Sequence, residues 1–445
     1  MASEKITLTR LDFDPARAPQ LAEELAQAPI HEVIEVVERS PAARAALILR
    51  LLSRSRAIDV FDALDPAHQA DLIGALQGKE TYEFFEDMDP DDRVSLLDEL
   101  PAEIAEQLLR NLDATERDVT GVVLGYPKGS VGRRMSPEVP TIYADMTAGE
   151  ALAEIRLQAH EVETIYLIPI TNRDRTLVGV CSLRTMFTAE PETPLERLMV
   201  EPVYANAHDD AEETARWFLP LDYLAIPIVD DSTRLVGILT FDDAADIAEE
   251  AESEDSARAG GAEPLQQPYL STPLLKLVRS RVVWLLVLAV SALLTVKVLD
   301  TFEATLSQAV VLSLFIPLLT GTGGNTGNQA ATTVTRSLAL GDVRKRDVAQ
   351  VMWRELRVGL VLGALLGSLG FTLATLVYGL PIGMVIGLTM LAVCTMSATV
   401  GGAMPIIAKA VGADPAVFSN PFISTFCDAT GLIVYFCIAK AILGL

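Results

Sequence analysis

Five apolar stretches, near residues 281–299, 305–338, 356–380, 382–408 and 418–443, fill the rear of this 445-residue chain. A helix needs roughly 20 apolar residues to span a bilayer, and each stretch suffices. Backbone in hydrocarbon must satisfy its own hydrogen bonds, so packed helices are what such runs can form. Charge divides at the same place. From Ser271 onward there are 12 basic and 7 acidic residues, leaving 53 acidic and 23 basic before it. The expected order is an acidic helical domain (1–130), a tandem α/β module (131–250), an acidic connecting helix with its linker (242–270) and a five-helix membrane domain (271–445).

One acid stands inside the last run. Asp428 interrupts an uncharged stretch from Phe418 to Ala439. An ionised carboxylate in hydrocarbon costs several kcal/mol, on the order of the insertion scales, and such a residue faces water, a cation or a partner charge. Asn420, Ser424 and Asp428 recur at helical spacing and form one polar stripe, which Thr425 widens. A mid-membrane base is missing from the other runs, Lys297 lying near the end of the first, so a cation is the expected partner. For Ser424 and Thr425, helix packing is an equal alternative.

The second run carries Pro317 followed by LLTGTGGNTGNQ, ending at Gln329. This predicts a loosened crossing shielded from lipid. Its Asn and Gln side chains would bond across an interface or to a hydrated ion, and a purely structural glycine-rich crossing is the alternative. Basic residues orient the domain. Lys276, Arg279 and Arg281 precede the first run, and Arg344, Lys345, Arg346, Arg354 and Arg357 surround the loop after the second. Both places, and Lys409, are expected on the cytosolic side, with the C-terminus outside.

The soluble part repeats twice over. Leu64-Asp65-Pro66, Met88-Asp89-Pro90 and Leu112-Asp113-Ala114 recur every 24 residues, each placing an Asp cap before a helix. A helical superhelix is expected, with an ordinary bundle as the alternative. Then Ile168-Pro169-Ile170 returns as Ile226-Pro227-Ile228, and Leu177-Val178-Gly179-Val180 as Leu235-Val236-Gly237-Ile238, both offset by 58 residues. Each copy reads strand, turn, strand, helix, opened by Met135-Ser136-Pro137 or Met199-Val200-Glu201-Pro202. The pattern resembles a tandem pair of CBS motifs. Nucleotide-binding members follow the second strand with Ser/Thr-x-x-Asp. Thr240 and Asp243 keep that pattern in the second copy, where Thr240 also reads as a helix cap; Thr185 replaces the Asp in the first. One ATP half-site is thus open and the other is compromised.

The opening residues lack the apolar core of a signal peptide, so the soluble part is expected in the cytosol. Its acidity argues against nucleic acid and suits divalent cations. Cys181, Cys394, Cys427 and Cys437 show no pairing or ligand spacing, and the four histidines no zinc pattern. No nucleophile–base arrangement or phosphate-cradling loop appears, so an enzyme is not expected.

The GGNTGNQ segment, Asn420-Pro421-Phe422 and Asp428-Ala429-Thr430-Gly431, in this domain order, resemble the MgtE family of magnesium channels. The resemblance implies a plasma-membrane homodimer with one pore lined by the second and fifth membrane helices. It assigns Asp428, Asn420 and Ser424 to the pore metal, and Asp414 to a metal position at the pore mouth. Pro317, Gly324, Asn325, Gly327, Asn328 and Gln329 become the pore-lining motif. Asp87, Asp91, Glu212, Asp222, Asp243, Asp246, Glu254 and Asp255 become regulatory metal positions, with Ala251 standing where members can carry an acid. Mg²⁺ is then both substrate and regulator, closing the channel from the cytosol. Two other readings stay open: an ion-coupled secondary transporter of divalent cations such as Mg²⁺, Co²⁺ or Mn²⁺, and a membrane-anchored CBS nucleotide sensor.

Overall fold

A computed structural model describes residues 18–76, 79–265, 269, 272–413, 415 and 420–445. The chain divides into two compact units, one built on residues up to Ala251 and the other on Glu252–Leu265 with Pro273–Leu445.

The first unit opens with nine helices among the described residues: α1 (Ala18–Gln27), α2 (Ile30–Glu38), α3 (Ala42–Leu51), α4 (Arg54–Asp62), α5 (Pro66–Ala75), α6 (Lys79–Asp87), α7 (Pro90–Glu99), α8 (Ala102–Asn111) and α9 (Ala114–Leu124). The odd helices begin at 18, 42, 66, 90 and 114, so the 24-residue repeat runs through five copies rather than three. Odd helices pack on odd and even on even, giving the two layers of a helical superhelix around Val33, Phe61, Leu72 and Leu96. Asp65 accepts a hydrogen bond from the His68 amide and Asp113 from that of Glu116, both at 2.8 Å. Asp89 makes no such cap bond.

The α/β part contains two three-stranded sheets. The first orders β1 (Ile142–Tyr143), β2 (Leu167–Thr171) and β3 (Leu177–Ser182), with helices α10 (Ala148–Gln158) and α11 (Leu183–Thr188). The second orders β4 (Ala205–Asn206), β5 (Ala225–Val229) and β6 (Leu235–Thr240), with α12 (Ala211–Phe218) and α13 (Phe241–Ala259). In both, the first pairing is parallel and the second antiparallel. The opening segments pair crosswise with these sheets: Ser136 bridges Ile238 in β6, and Val200 bridges Val180 in β3. Each sheet is completed by the segment that opens the other copy. Arg133 binds this module to the helical part, its Nη2 lying 2.7 Å from Asp98 Oδ1.

The second unit holds α14 (Leu274–Thr301), α15 (Glu303–Gln308), a 3₁₀ stretch at Val310–Phe315, α16 (Ile316–Ala339), α17 (Val348–Tyr378), α18 (Leu380–Ala410) and α19 (Asn420–Leu443). Among the described residues, four stretches are long and apolar enough to cross a membrane: Leu274–Thr301, Lys345–Tyr378, Leu380–Ala410 and Phe422–Leu443. Helix α16 is not among them, because its Gly, Thr and Asn residues dilute its apolar character.

The interruption expected after Pro317 is absent. Pro317 occupies the first turn of a continuous helix, where a missing amide is tolerated, and the irregular backbone lies before it. That irregular stretch is satisfied from outside, the Tyr435 hydroxyl donating to the Leu312 carbonyl at 2.9 Å. Helix α18 is central, packed against α16, α17 and α19. Helices α17 and α18 meet backbone to backbone. A methyl on Gly359 would lie 2.7 Å from Thr395 Cα, one on Gly363 2.8 Å from Leu391 Cα, and one on Gly367 2.7 Å from the Gly387 carbonyl. Helix α14 exposes Leu and Val nearly all round, as a lipid-facing helix does. The segment after α13 is fastened to it: the Trp284 indole donates to Glu263 Oε1 at 2.8 Å, and the Glu263 amide to the Ser280 carbonyl at 2.9 Å.

Candidate ion-binding sites

Asp428 lies half-buried on α19, on the seam with α16. Asn328 Nδ2 donates to Ser424 Oγ across this seam at 2.9 Å, while Asn328 Oδ1 is buried without a hydrogen-bond partner. Gly324, one turn before Asn328, faces both Ser424 and Asp428. The seam is close because Gly327 gives α19 room: a methyl there would lie 2.7 Å from Ile423 Cγ2. The base that the first run might have offered is engaged elsewhere, Lys297 Nζ lying 2.6 Å from Asp300 Oδ2.

The adjoining face of α16 is polar and uncovered. Gly321, Asn325, Gln329, Thr332 and Arg336 are exposed at helical spacing. An open depression of about 380 Å³ is lined by Asn325, Asn328, Gln329, Thr332 and Thr333. This face contrasts with the Leu and Val surface of α14 and is unsuited to lipid. Pro317 is exposed at the helix start. Asp414 and the Asn420 side chain lie outside the described residues, so their expected metal roles are placed by sequence alone.

A second concentration of acids lies in the first unit, where α7 and α13 approach each other and the loop carrying Glu163. Asp91 is buried, with Oδ1 lacking a hydrogen-bond partner. Burial, then the charges of Asp243, Asp92 and Glu163, hold its carboxyl well above the usual range. Burial and Asp243 push Asp92 to about 7, and burial with Asp89 pushes Glu163 to about 7. Asp243 and Asp246 on α13 are likewise raised, chiefly by burial. On the neighbouring α4, burial and then Asp92 bring Asp62 to about 7. Arg134 sits at the margin, 2.8 Å from Glu250. Arg93 is buried and committed to Glu116 at 2.5 Å and the Phe85 carbonyl at 3.0 Å.

Among the described residues no three acidic, histidine or cysteine side chains stand close enough to hold one ion directly. The buried, unpartnered Asp91 oxygen and its acidic neighbours fit cations that neutralise them through water, not a preformed chelate.

The structure thus brings together Asp91, Asp243 and Asp246, and adds Asp89, Asp92 and Glu163. Asp87 pairs with Arg54 at 2.9 Å, and Glu212 pairs with Arg216 one turn along its helix. Asp222 is exposed in a left-handed conformation, φ 55°. Glu254, paired with Arg258, and Asp255 belong to the second unit. Thr240 donates to the Asp243 carboxylate and accepts from the Asp243 amide, so it acts as a helix cap. The acidic run Asp89-Pro90-Asp91-Asp92 was a readable signal for the added acids; Glu163, in irregular chain before β2, carried none.

Comparison with known proteins gives three family matches along the chain: the MgtE intracellular N domain at 28–129, CBS domains at 129–192 and 195–250, and MgtE, a divalent cation transporter, at 316–438. The chain is 34% identical over 404 residues to the magnesium transporter MgtE of Thermus thermophilus, covering 89% of each. It is 32% identical to the magnesium transporter MgtE of Enterococcus faecalis over 72% of this chain and 70% of the relative. A crystal structure of the cytosolic domain of the Mg²⁺ channel MgtE in complex with ATP matches 52% of this chain and 96% of that one, at 29% identity and TM-score 0.49. With its helical N-terminal part, CBS pair and apolar helical unit, the chain belongs to the MgtE family.

Proposed function

We propose that this protein is a homodimeric channel admitting Mg²⁺ across the plasma membrane and closed by cytosolic Mg²⁺. The observation that carries the reading is Asp428, half-buried on the α16–α19 seam of an otherwise apolar unit, beside a helix whose free face is polar. A second copy related by a two-fold axis would cover that face and bring two Asp428 carboxylates to one path. Mg²⁺ sheds water reluctantly, so paired carboxylates hold it through its hydration shell, with Asn328, Ser424 and Asn420 supplying further polar groups. In this arrangement α16 is a fifth crossing, tolerable because its polar side lines water. The basic residues before α14 and around the start of α17 favour an N-terminus in the cytosol and a C-terminus outside. A negative-inside potential of 100 mV then favours entry by about 4–5 kcal/mol per divalent ion.

Closure rests on the acids of residues 1–130, 131–250 and the connecting helix within 242–270. Their mutual repulsion opposes the compact arrangement of α7, α13 and the Glu163 loop, and bound cations relieve it. Mg²⁺ therefore favours the compact, closed state only to the extent that it binds that state more tightly. Helix α13 begins in the first unit and ends in the second, so it physically carries the change.

Reconstituted full-length protein tests the reading. Single-channel Mg²⁺ currents that vanish in Asp428→Ala are expected. Stoichiometric H⁺- or Na⁺-coupled uptake without unitary currents would replace the channel with a carrier, and undiminished flux in Asp428→Ala would remove the site.

A further inference from the structure

The glycines around Asp428 do different jobs. Gly323 and Gly327 are demanded by packing, since a methyl on either would lie 2.7 Å from Val393 Cγ1 or Ile423 Cγ2. Gly401 is stricter still, because a methyl there would come within 2.2 Å of the Gly327 carbonyl oxygen. Gly324 is different. A methyl on it would meet Ser424 Oγ at 3.5 Å and Asp428 Oδ1 at 3.8 Å, ordinary van der Waals contacts. Its backbone is helical, so no left-handed conformation requires glycine. Alanine is also the better helix former. Within one chain, neither packing nor backbone geometry accounts for glycine at this position.

What the missing methyl leaves is a gap of about methyl size, against the carboxylate of the one acid within the α16–α19 seam. Asn328, by holding Ser424 at 2.9 Å, keeps the two helices in register beside that gap. We propose that Gly324 is a specificity-determining position that reserves this space for water, so that an ion at Asp428 is accepted with its hydration shell. The proposal rests on the reading of Asp428 as the ion site. Filling the gap would strip solvent from one side of the carboxylate. That penalises Mg²⁺, which holds its water tightly in strict octahedral geometry, more than Ca²⁺, which tolerates irregular shells.

The test uses full-length protein in proteoliposomes, with Mg²⁺ and Ca²⁺ uptake and block by hexaamminecobalt(III), whose shell cannot be shed and which approximates hydrated Mg²⁺ in size. Gly324→Ala is expected to keep the parental melting temperature and elution while Mg²⁺ uptake falls ~10-fold or more, and the Mg²⁺-to-Ca²⁺ ratio with it. Hexaamminecobalt block should weaken in parallel. Gly431→Ala, whose methyl would meet only Val393 at 3.6 Å on the α18 side, is the matched control and should transport as the parent does. Parental uptake and block in Gly324→Ala would overturn the proposal. So would a parent protein insensitive to hexaamminecobalt, a measurement that does not depend on any variant folding. Parental uptake in Asp428→Asn would instead overturn the reading beneath it.

Discussion

Asp91 and Asp428 are both carboxylates withdrawn from bulk water, and the molecule treats them in opposite ways. Asp91 is crowded by its own kind, with Asp92, Asp243 and Glu163 raising the cost of its charge. Asp428 stands among apolar helices, with a glycine and a serine as its neighbours across and along the seam. A crowd of acids responds to any cation or proton that enters it, because each neutralisation relieves several repulsions. A solitary acid on a polar seam offers a single point of attraction without trapping what it attracts. The first arrangement suits sensing and the second suits passage.

The contrast is most easily broken at Asp428. Asp428→Asn should reduce Mg²⁺ uptake by ~100-fold while leaving the protein folded, since an amide keeps the shape but not the charge that holds a hydrated divalent ion. Retained uptake would put the two acids in the same class. The converse variant combines Asp91→Asn, Asp243→Asn and Asp246→Asn. It should conduct normally, yet its closure should respond ~10-fold less to internal Mg²⁺, because both the repulsion and the groups that let a cation relieve it are gone, a change the size of a typical coupling between sites. Closure at the parental concentration would show that the crowd is merely structural.

The acids around Asp91 also respond to protons. Asp62, Asp92 and Glu163 titrate near 7 in the folded protein, against an ordinary carboxylate range of about 4. Their raised values mean the folded state prefers them protonated. The stability they confer is complete below about pH 4 and is lost as pH rises through about 7. In EDTA, hydrogen-exchange protection of α7 and the first half of α13 should therefore fall between pH 5 and pH 8, and Mg²⁺ at pH 8 should restore it. Protection that climbs over this range without metal would contradict the crowding. The smallest effect is expected from Asn328→Ala, which removes one interhelical hydrogen bond worth about 0.6–1 kcal/mol. A slightly lower melting temperature with near-normal closure by Mg²⁺ is the outcome to look for.

Much of this was readable before any coordinates. The Asp-Pro signals at 65 and 89 mark true helix starts, and the 58-residue echo marks two copies of one α/β unit, because caps and alternating strands are local properties. Asp428 could be singled out because charge in an apolar run is conspicuous in one dimension. Pro317 misled because a proline among glycines looks like a break, whereas in a helix's first turn it is compatible with an unbroken helix. Glu163 and the crossed pairing of Ser136 with Ile238 were invisible for a different reason. Both depend on which distant segments meet, and nothing near them in the chain announces it. Asp89 shows the same limit: in sequence it is equivalent to Asp65, yet it makes no cap bond, and its charge acts on Glu163, far away in the chain.

The contacts of Gly359, Gly363 and Gly367 with α18 bear on how such a molecule can move. Two helices whose main chains touch at three successive turns leave no side-chain cushion to slide over. They behave as one beam, folded back at Gly379, where φ is +89°. Helix α16 is tied to the same beam where Gly401 meets the Gly327 main chain, so if the proposed path opens and shuts, the helix left to swing against it is α19, which carries Ser424 and Asp428.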